Sequence, residues 1–153
     1  QFYRDQLKGE THLRYVPNAD HSLRKSNAPE ALLGFYGSVV KGVKRPQVDW
    51  TASQDGRLTL RTDQTPARVV LWQATNPDAR DFRLETLGPK WTASNVTADA
   101  SGTYAVTLET PAKGWTAGFL EVTFDYGGPG PLIVSTGVRV VPDVRVMLDL
   151  GDA

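Results

Sequence analysis

The sequence contains no cysteine among its 153 residues, and it has one methionine and two histidines. Without cysteine the chain holds no disulfide, zinc ribbon, iron–sulfur cluster or thiol nucleophile. It also lacks any run of about 20 apolar residues, the length that a helix needs to cross a bilayer, so we expect no membrane span. Hydrophobic residues make up 40% and charged residues 22%, which indicates a globular protein with one ordinary domain and a smaller additional part.

The formal net charge is zero, but the charge is unevenly divided along the chain. Residues 1–45 hold 8 Lys and Arg against 4 Asp and Glu, a balance of +4, and residues 46–153 carry −4. The basic residues are spread over a predicted helix and loops rather than gathered in one stripe. We therefore expect two structural units and no binding of nucleic acid.

The first 45 residues follow a broken α/β pattern. Residues 1–7 resemble the end of a helix that stops at Gly9. Residues 11–16 alternate in hydropathy and end at Pro17, which predicts a short strand. A loop rich in turn-forming residues follows this strand.

A helix is predicted over residues 28–41, with Ser26 or Asn27 as its N-cap and Gly42 after its end. Apolar residues three and four positions apart form a stripe along it. The stripe consists of Leu32, Leu33, Tyr36, Val39 and Val40. Because so short a segment cannot bury the stripe alone, we expect it to pack against an upstream part of the polypeptide, the following domain or another copy of the chain.

From residue 46 onward the hydropathy period changes from 3.6 to 2, and turn residues recur every eight to twelve positions. Seven strands are predicted, over residues 47–52, 57–62, 67–75, 82–87, 103–108, 115–126 and 132–141. Their number and spacing predict a mainly β fold, with an immunoglobulin- or fibronectin-like antiparallel sandwich over residues 46–150.

His21 is the strongest candidate for chemistry, because it lies in the loop between the predicted strand and helix. An imidazole in such a loop can act as a general base when a hydroxyl nucleophile and an orienting carboxylate lie nearby. Asp20 is not expected to be that carboxylate, since an adjacent residue rarely aims at its neighbour's ring. The chain has no Gly-x-Ser-x-Gly elbow, so no complete triad is present. The alternative is a loop histidine satisfied by its neighbours.

Three further patterns have both a functional and a structural interpretation. His12 with Asp5 or Glu10 suggests a metal site, but two ligands hold zinc poorly, and we expect neither a metal nor a cofactor. The run RDFR at residues 80–83 either recognises a carboxylate or sugar, or begins a strand. The third pattern is a set of tryptophans that either stack on a sugar or pack in the core. They are Trp50, Trp91 and Trp115.

Several runs, agreeing in order along essentially the whole chain, carry a family resemblance. They are residues 1–7 (QFYRDQL), 13–23 (LRYVPNADHSL), 72–77 (WQATNP), 80–83 (RDFR) and 128–136 (GPGPLIVST). The first two resemble the closing segment of an α/β-hydrolase. Together the runs resemble the PhoPQ-activated pathogenicity-related family of bacterial secreted or periplasmic proteins.

This resemblance implies that residues 1–45 are the terminal strand, loop and helix of an α/β-hydrolase domain, with His21 at the catalytic histidine position. It implies that the nucleophilic serine and the acid lie upstream, in a hydrolase domain of the same polypeptide, so that this chain is not active alone. A secreted or periplasmic location is implied in the same way.

Whether the parent polypeptide is an enzyme stays open at this point, because the reaction of the family is poorly defined. One hypothesis is a serine hydrolase that acts on an ester or amide, with the sandwich as a covering or docking element. The other is a non-catalytic envelope or extracellular module that binds a glycan or a protein. If the helix packs against another copy of the chain, we expect the isolated chain to self-associate.

Overall fold

The computed structural model describes residues 6–125 and 127–144. This part of the chain is mainly β, with few helices. Its elements are α1 (Ala28–Val40), β1 (Val48–Ala52), β2 (Arg57–Thr62), β3 (Arg68–Asn76), α2 (Leu84–Leu87), β4 (Thr92–Asn95), β5 (Tyr104–Thr107), β6 (Trp115–Phe124), β7 (Leu132–Ser135) and β8 (Arg139–Val141). Within these residues, neither helix has the length and hydropathy that a bilayer crossing requires.

The strands form two antiparallel sheets. The smaller sheet has the order β1-β2-β5, and the larger has the order β4-β3-β6-β7, with β8 also paired to β6. Apolar side chains from both sheets meet in one core, because alternate residues of each strand point to the same side. The core includes Leu58, Leu60, Leu71, Leu120, Val122, Phe124, Leu132 and Val134. The predicted mainly β, antiparallel fold is confirmed, and the immunoglobulin type and the division at residue 46 stay predictions.

The strand prediction over residues 82–87 is wrong, because this segment contains the short helix α2. The carboxylate of Asp81 accepts hydrogen bonds from the Arg83 N–H at 3.1 Å and the Thr86 hydroxyl at 2.8 Å, which stabilises a turn rather than an extended chain. Next along the chain, β4 was not predicted. All four of its residues are exposed, so its sequence has no alternation to detect.

Two further strand predictions differ from the structure. Residues 11–16 lie in an extended segment that is not a strand. In the described part of the chain, Leu13 makes the only backbone–backbone hydrogen bond of this segment, accepting from the Ser135 N–H at 2.7 Å. The strand predicted over residues 132–141 is divided into β7 and β8, because the buried hydroxyl of Thr136 accepts the Leu120 N–H at 3.0 Å in place of a ladder bond.

The predicted helix is confirmed as α1. Asn27 occupies the N-cap position without a side-chain cap, and the Ser26 hydroxyl accepts the N–H of Ala28 at 3.2 Å. Gly42 follows the helix with a φ of +62°, a conformation that glycine adopts without strain. The N–H of Gly42 donates to the Val39 carbonyl at 3.1 Å, which closes the last turn.

The buried face of α1 is not its apolar stripe. The helix packs on β7 and the preceding loop through Ala31, Gly34 and Ser38. A Cβ on Gly34 would overlap the backbone carbonyl of Pro131, and one on Gly130 would lie 2.5 Å from the Glu30 carbonyl oxygen. This contact therefore requires glycine on both sides.

All the residues of the predicted apolar stripe are exposed, as is their neighbour Phe35. Leu32, Leu33, Phe35, Tyr36, Val39 and Val40 expose between 37% and 67% of their surface. A contiguous apolar face of this kind is characteristic of an interaction surface. The described residues do not cover it.

We predict that Gly34→Ala destabilises the chain although alanine is the better helix former. Overpacking of this kind costs about 1 to 3 kcal/mol, which exceeds the gain of about 1 kcal/mol from helix propensity. Urea denaturation of the 153-residue chain, at a protein concentration low enough for the chain to be monomeric, measures the difference. Val39→Ala, on the exposed face of the same helix, is the control and should change the free energy of unfolding by no more than about 0.5 kcal/mol. A Gly34→Ala chain more stable than the original would contradict the packing described.

Candidate functional site

His21 lies at the corner of a tight turn between the extended segment at residues 11–16 and α1. The N–H of Leu23 donates to the Asp20 carbonyl at 3.1 Å. The Asp20 carboxylate accepts from the Ser22 N–H at 2.9 Å and from the Ser22 hydroxyl at 2.6 Å. These bonds, the hydroxyl first, lower the pKa of Asp20. Asp20 thus organises the turn that presents His21.

The His21 side chain is exposed, and no residue of the described chain hydrogen-bonds its imidazole. The structure therefore brings neither a hydroxyl nucleophile nor a carboxylate to this ring within residues 6–125 and 127–144. Among the described residues, no hydrogen bond to the ring supports the interpretation of His21 as a loop histidine satisfied by its neighbours. The ring is available to a group from outside this part of the chain.

Two residues close to His21 have a positive φ. Asn18 and Leu23 both have a φ of +55°. Asparagine tolerates this left-handed conformation, whereas for leucine it costs about 1 to 2 kcal/mol. Such strain persists only where surrounding contacts impose the backbone conformation. The turn at residues 20–23 is therefore held in place by its surroundings.

The start of the loop is attached to the larger sheet through Asn18. Its side-chain amide donates to the Trp91 carbonyl at 2.8 Å, and its side-chain oxygen accepts the Trp91 N–H at 3.0 Å. The indole of Trp91 donates to the Phe82 carbonyl at 3.1 Å and packs on Phe119, with ring centroids 5.5 Å apart. Phe119 is 1% exposed, so the attachment reaches the protein interior.

A second attachment joins both ends of the loop to β6. Arg14, which precedes the loop, donates to the buried Glu121 of β6 at 3.1 Å and to the side chain of Asn27 at 2.6 Å. Asn27 follows the loop and precedes α1. Burial lowers the pKa of Arg14, and the neighbouring Glu121 opposes this shift. An ion pair so little exposed requires both partners, because removing one leaves an uncompensated charge.

An apolar groove of about 550 Å³ lies beside the loop. It runs between the extended segment, α1 and β7, and it is lined mainly by aliphatic and aromatic side chains. Leu13, Val16, Leu23, Phe35 and Ile133 contribute to its walls. The groove continues the exposed apolar surface of α1 toward the His21 loop, because Leu32 and Phe35 belong to both.

The structure brings His12 and Glu10 together, as the metal hypothesis requires, but it also places the cationic side chain of Arg45 against Glu10. The Glu10 carboxylate lies 2.6 Å from the His12 ring nitrogen and also forms an ion pair with Arg45. The Arg45 guanidinium thus pairs with the carboxylate that a metal would need as a ligand. No group of three potential ligands occurs in the described residues, and Asp5 lies outside them.

The RDFR run forms internal contacts. Arg83 pairs with Asp81 at 2.5 Å, and Arg80 lies 3.8 Å from Asp143. The bond from Arg83 is the main cause of the strongly lowered pKa of Asp81. Phe82 packs on Trp91 with ring centroids 6.1 Å apart. The charges of the run are thus paired within the protein.

The three tryptophans do not share one surface. Trp50 of β1 packs against the core between the sheets, whereas Trp91 belongs to the aromatic group with Phe82 and Phe119. Trp115 begins β6 and is half-buried. Their positions favour the structural interpretation over a carbohydrate platform.

Comparison with known proteins gives one family and one curated relative. Residues 1–83, just over half of the chain, match the family described as PhoPQ-activated pathogenicity-related protein. The Autocrine proliferation repressor protein A of Dictyostelium discoideum is 32% identical over 148 residues, which is 82% of this chain and 30% of that protein. The chain therefore spans less than a third of this relative. No solved structure matches this chain significantly.

We predict an acid-dependent loss of stability from the ion pairs of Glu10. Hydrogen bonds from Arg45 and then His12 lower the pKa of Glu10 from 4.5 to about 2. A lowered folded-state pKa contributes stability above the unfolded value, and this contribution is lost as the pH falls from 4.5 toward 2. The difference in unfolding free energy between the original chain and Glu10→Gln should therefore shrink across this interval. A difference that is constant from pH 6 to pH 2 would contradict the role of this carboxylate.

Proposed function

The chain belongs to the PhoPQ-activated pathogenicity-related protein family, and on that premise we propose that it is the C-terminal part of an exported serine hydrolase. In this proposal His21 is the general base. The supporting observation is the His21 turn, which is internally ordered, presents an imidazole without a hydrogen-bond partner in the described chain, and adjoins an uncovered apolar surface. The relative from Dictyostelium is named as an autocrine protein, and export fits that name.

In the proposed domain organisation, the active site is divided between an upstream domain and residues 1–45. Residues 1–45 complete an upstream α/β-hydrolase domain with its last extended segment, histidine loop and helix, and residues 46–150 form an immunoglobulin-like domain. The exposed apolar face of α1 supports this division, because a helix stripe of this size is normally buried against another layer. This chain covers 30% of the relative, so most of the relative's length lies outside the matched part.

The proposed reaction is the hydrolysis of an ester or amide. A serine of the upstream domain attacks the carbonyl carbon while its proton passes to the His21 imidazole. The protonated ring then gives this proton to the leaving alcohol or amine, and water releases the acyl group in a second cycle of the same type. An upstream carboxylate would orient the imidazole, since Asp20 is engaged with Ser22.

The two histidines of the chain allow a matched test of this function. The full-length polypeptide should react with a fluorophosphonate probe, and His21→Gln should reduce labelling at least about 100-fold because the serine loses its base. His12→Gln should label like the original, since His12 contacts Glu10 and Phe35 rather than the His21 loop.

Labelling of the His21→Gln polypeptide at the original rate would remove His21 from the mechanism. No labelling of the unaltered polypeptide would favour the other hypothesis, a non-catalytic envelope or extracellular module that binds a glycan or a protein. The isolated 153-residue chain should not be labelled, since the proposal places the nucleophile upstream.

Self-association of the isolated chain tests the proposed docking of α1 on an upstream domain. Sedimentation over a concentration series should show oligomers, because the uncovered face of α1 finds a second copy when its own partner is missing. Leu33→Glu, at the centre of the face, should shift the equilibrium toward monomer. Ala105→Glu on β5 adds the same charge to an exposed position elsewhere and should leave it unchanged. A monomer whose α1 amides are strongly protected from hydrogen exchange would contradict the need for a partner.

A further inference from the structure

We infer that Asn18 is a positioning residue for His21, and that the β domain thereby sets the geometry of the catalytic loop. This inference rests on the proposed function of His21. It assigns a role to a residue with no reactive side chain of its own and to a domain that otherwise reads as an appended module. The contact that carries it is the paired hydrogen bond between Asn18 and the Trp91 backbone.

The two bonds of Asn18 constrain orientation as well as distance. Its amide donates to the carbonyl of Trp91 and its oxygen accepts the N–H of the same residue, at 2.8 and 3.0 Å. A side-chain amide that pairs with both backbone groups of one residue reproduces the pairing of adjacent strands. The backbone of Asn18, three residues before His21, therefore has one orientation relative to the sheet.

The partner of Asn18 is itself held firmly. Trp91 directly precedes β4, and its indole N–H is bonded to the Phe82 carbonyl at 3.1 Å. Its ring contacts Phe119, a fully buried residue of β6. Side chains packed in a dense interior transmit position with little play. The position of the loop is thus fixed relative to the core of the larger sheet.

The ion pair at the base of the loop gives the second point of support. Arg14 connects Glu121 of β6 with Asn27, so that the residues before and after the loop are joined to one strand. The loop is thus attached to the larger sheet at both of its ends, through Arg14 and Asn27, and at Asn18, before His21. The left-handed φ of Leu23 agrees with this, because an unsupported loop would relax such strain.

Supports of this kind matter for a base that acts on a nucleophile from another domain. Displacing a catalytic group by about 1 Å costs about 100-fold in rate. The Asn18 contact removes the freedom of the loop to move by that amount relative to the sheet. Its loss should therefore slow the chemical step without changing how the probe binds.

Asn18→Gly in the full-length polypeptide isolates this effect. Glycine retains the positive φ without strain, and the variant removes the two hydrogen bonds but also adds backbone freedom to the loop. We expect the maximal inactivation rate constant for the fluorophosphonate, kinact, to fall about 10- to 100-fold, with the half-saturating probe concentration, KI, unchanged. Asn18→Asp adds no such freedom. It keeps the acceptor for the Trp91 N–H but sets a carboxylate oxygen against the Trp91 carbonyl, so its kinact should also fall. Asn95→Ala removes an exposed amide whose oxygen accepts a hydrogen bond from the Arg68 side chain and, among residues 6–125 and 127–144, from no other group, and it is the control for loss of a surface asparagine.

A separate measurement keeps the inference distinct from the proposed function. Hydrogen exchange followed by mass spectrometry should show faster exchange at residues 17–26 and at Trp91 in Asn18→Gly, and none of this in Asn95→Ala. If His21→Gln abolishes labelling while Asn18→Gly labels at the original rate, the positioning role is wrong and the proposed function stands. If the unaltered polypeptide is not labelled, the proposed function fails, and unchanged exchange in Asn18→Gly would show that the attachment does not hold the loop either. A fall in kinact together with a general loss of protection throughout the β domain would overturn the positioning role in favour of a folding defect.

Discussion

The orientation of the N-terminal part depends on one close contact between backbones, that of α1 with the loop before β7. Gly34 and Gly130 permit this approach, since a Cβ at either position would meet a carbonyl oxygen. The small face of α1 consequently points inward, and the apolar face is left on the surface. Burying apolar surface stabilises a protein by about 25 cal/mol per Å². A helix that leaves its apolar side outward therefore gives a physical reason to propose a further domain.

The sequence predicts the β part well where burial alternates. In β2 the buried Leu58 and Leu60 alternate with more exposed residues, so the hydropathy pattern follows the two faces of the strand. Prediction fails where this record is missing, as in the wholly exposed β4, or where a side chain competes with the backbone, as Thr136 does between β7 and β8. For α1 the periodicity gives the element and its end but not the buried face, because hydropathy does not reveal which partner a helix meets.

For the candidate site, sequence reasoning singles out His21 but none of the residues that hold its loop. The loop position and the family resemblance single out the imidazole, whereas Asn18 and Trp91 lie 73 positions apart and interact through backbone groups of Trp91. A backbone partner leaves no trace in residue type. The Pro-Asn pair before the histidine is a usable signal, since asparagine favours the left-handed conformation found here. The ion pair of Arg14 with Glu121, 107 positions away, has no comparable local sign.

The contacts between the His21 loop and the larger sheet bear on the role of the β part of the chain. Where a module is only tethered to its neighbour, relative movement of the two is the expected behaviour unless their interface is large and hydrophobic. Here three contacts join the residues around His21 to the larger sheet. They are the hydrogen bonds of Asn18 to Trp91, the largely buried ion pair of Arg14 with Glu121, and the close packing of α1 at Gly34. Each of these contacts restricts movement of the loop against the sheet. Restriction of this kind is useful in the proposed function, in which His21 as a base must meet a nucleophile on another domain. These contacts are therefore an argument for the proposal that the β sheets support the histidine loop, against the alternative in which they serve only to bind a glycan or a protein.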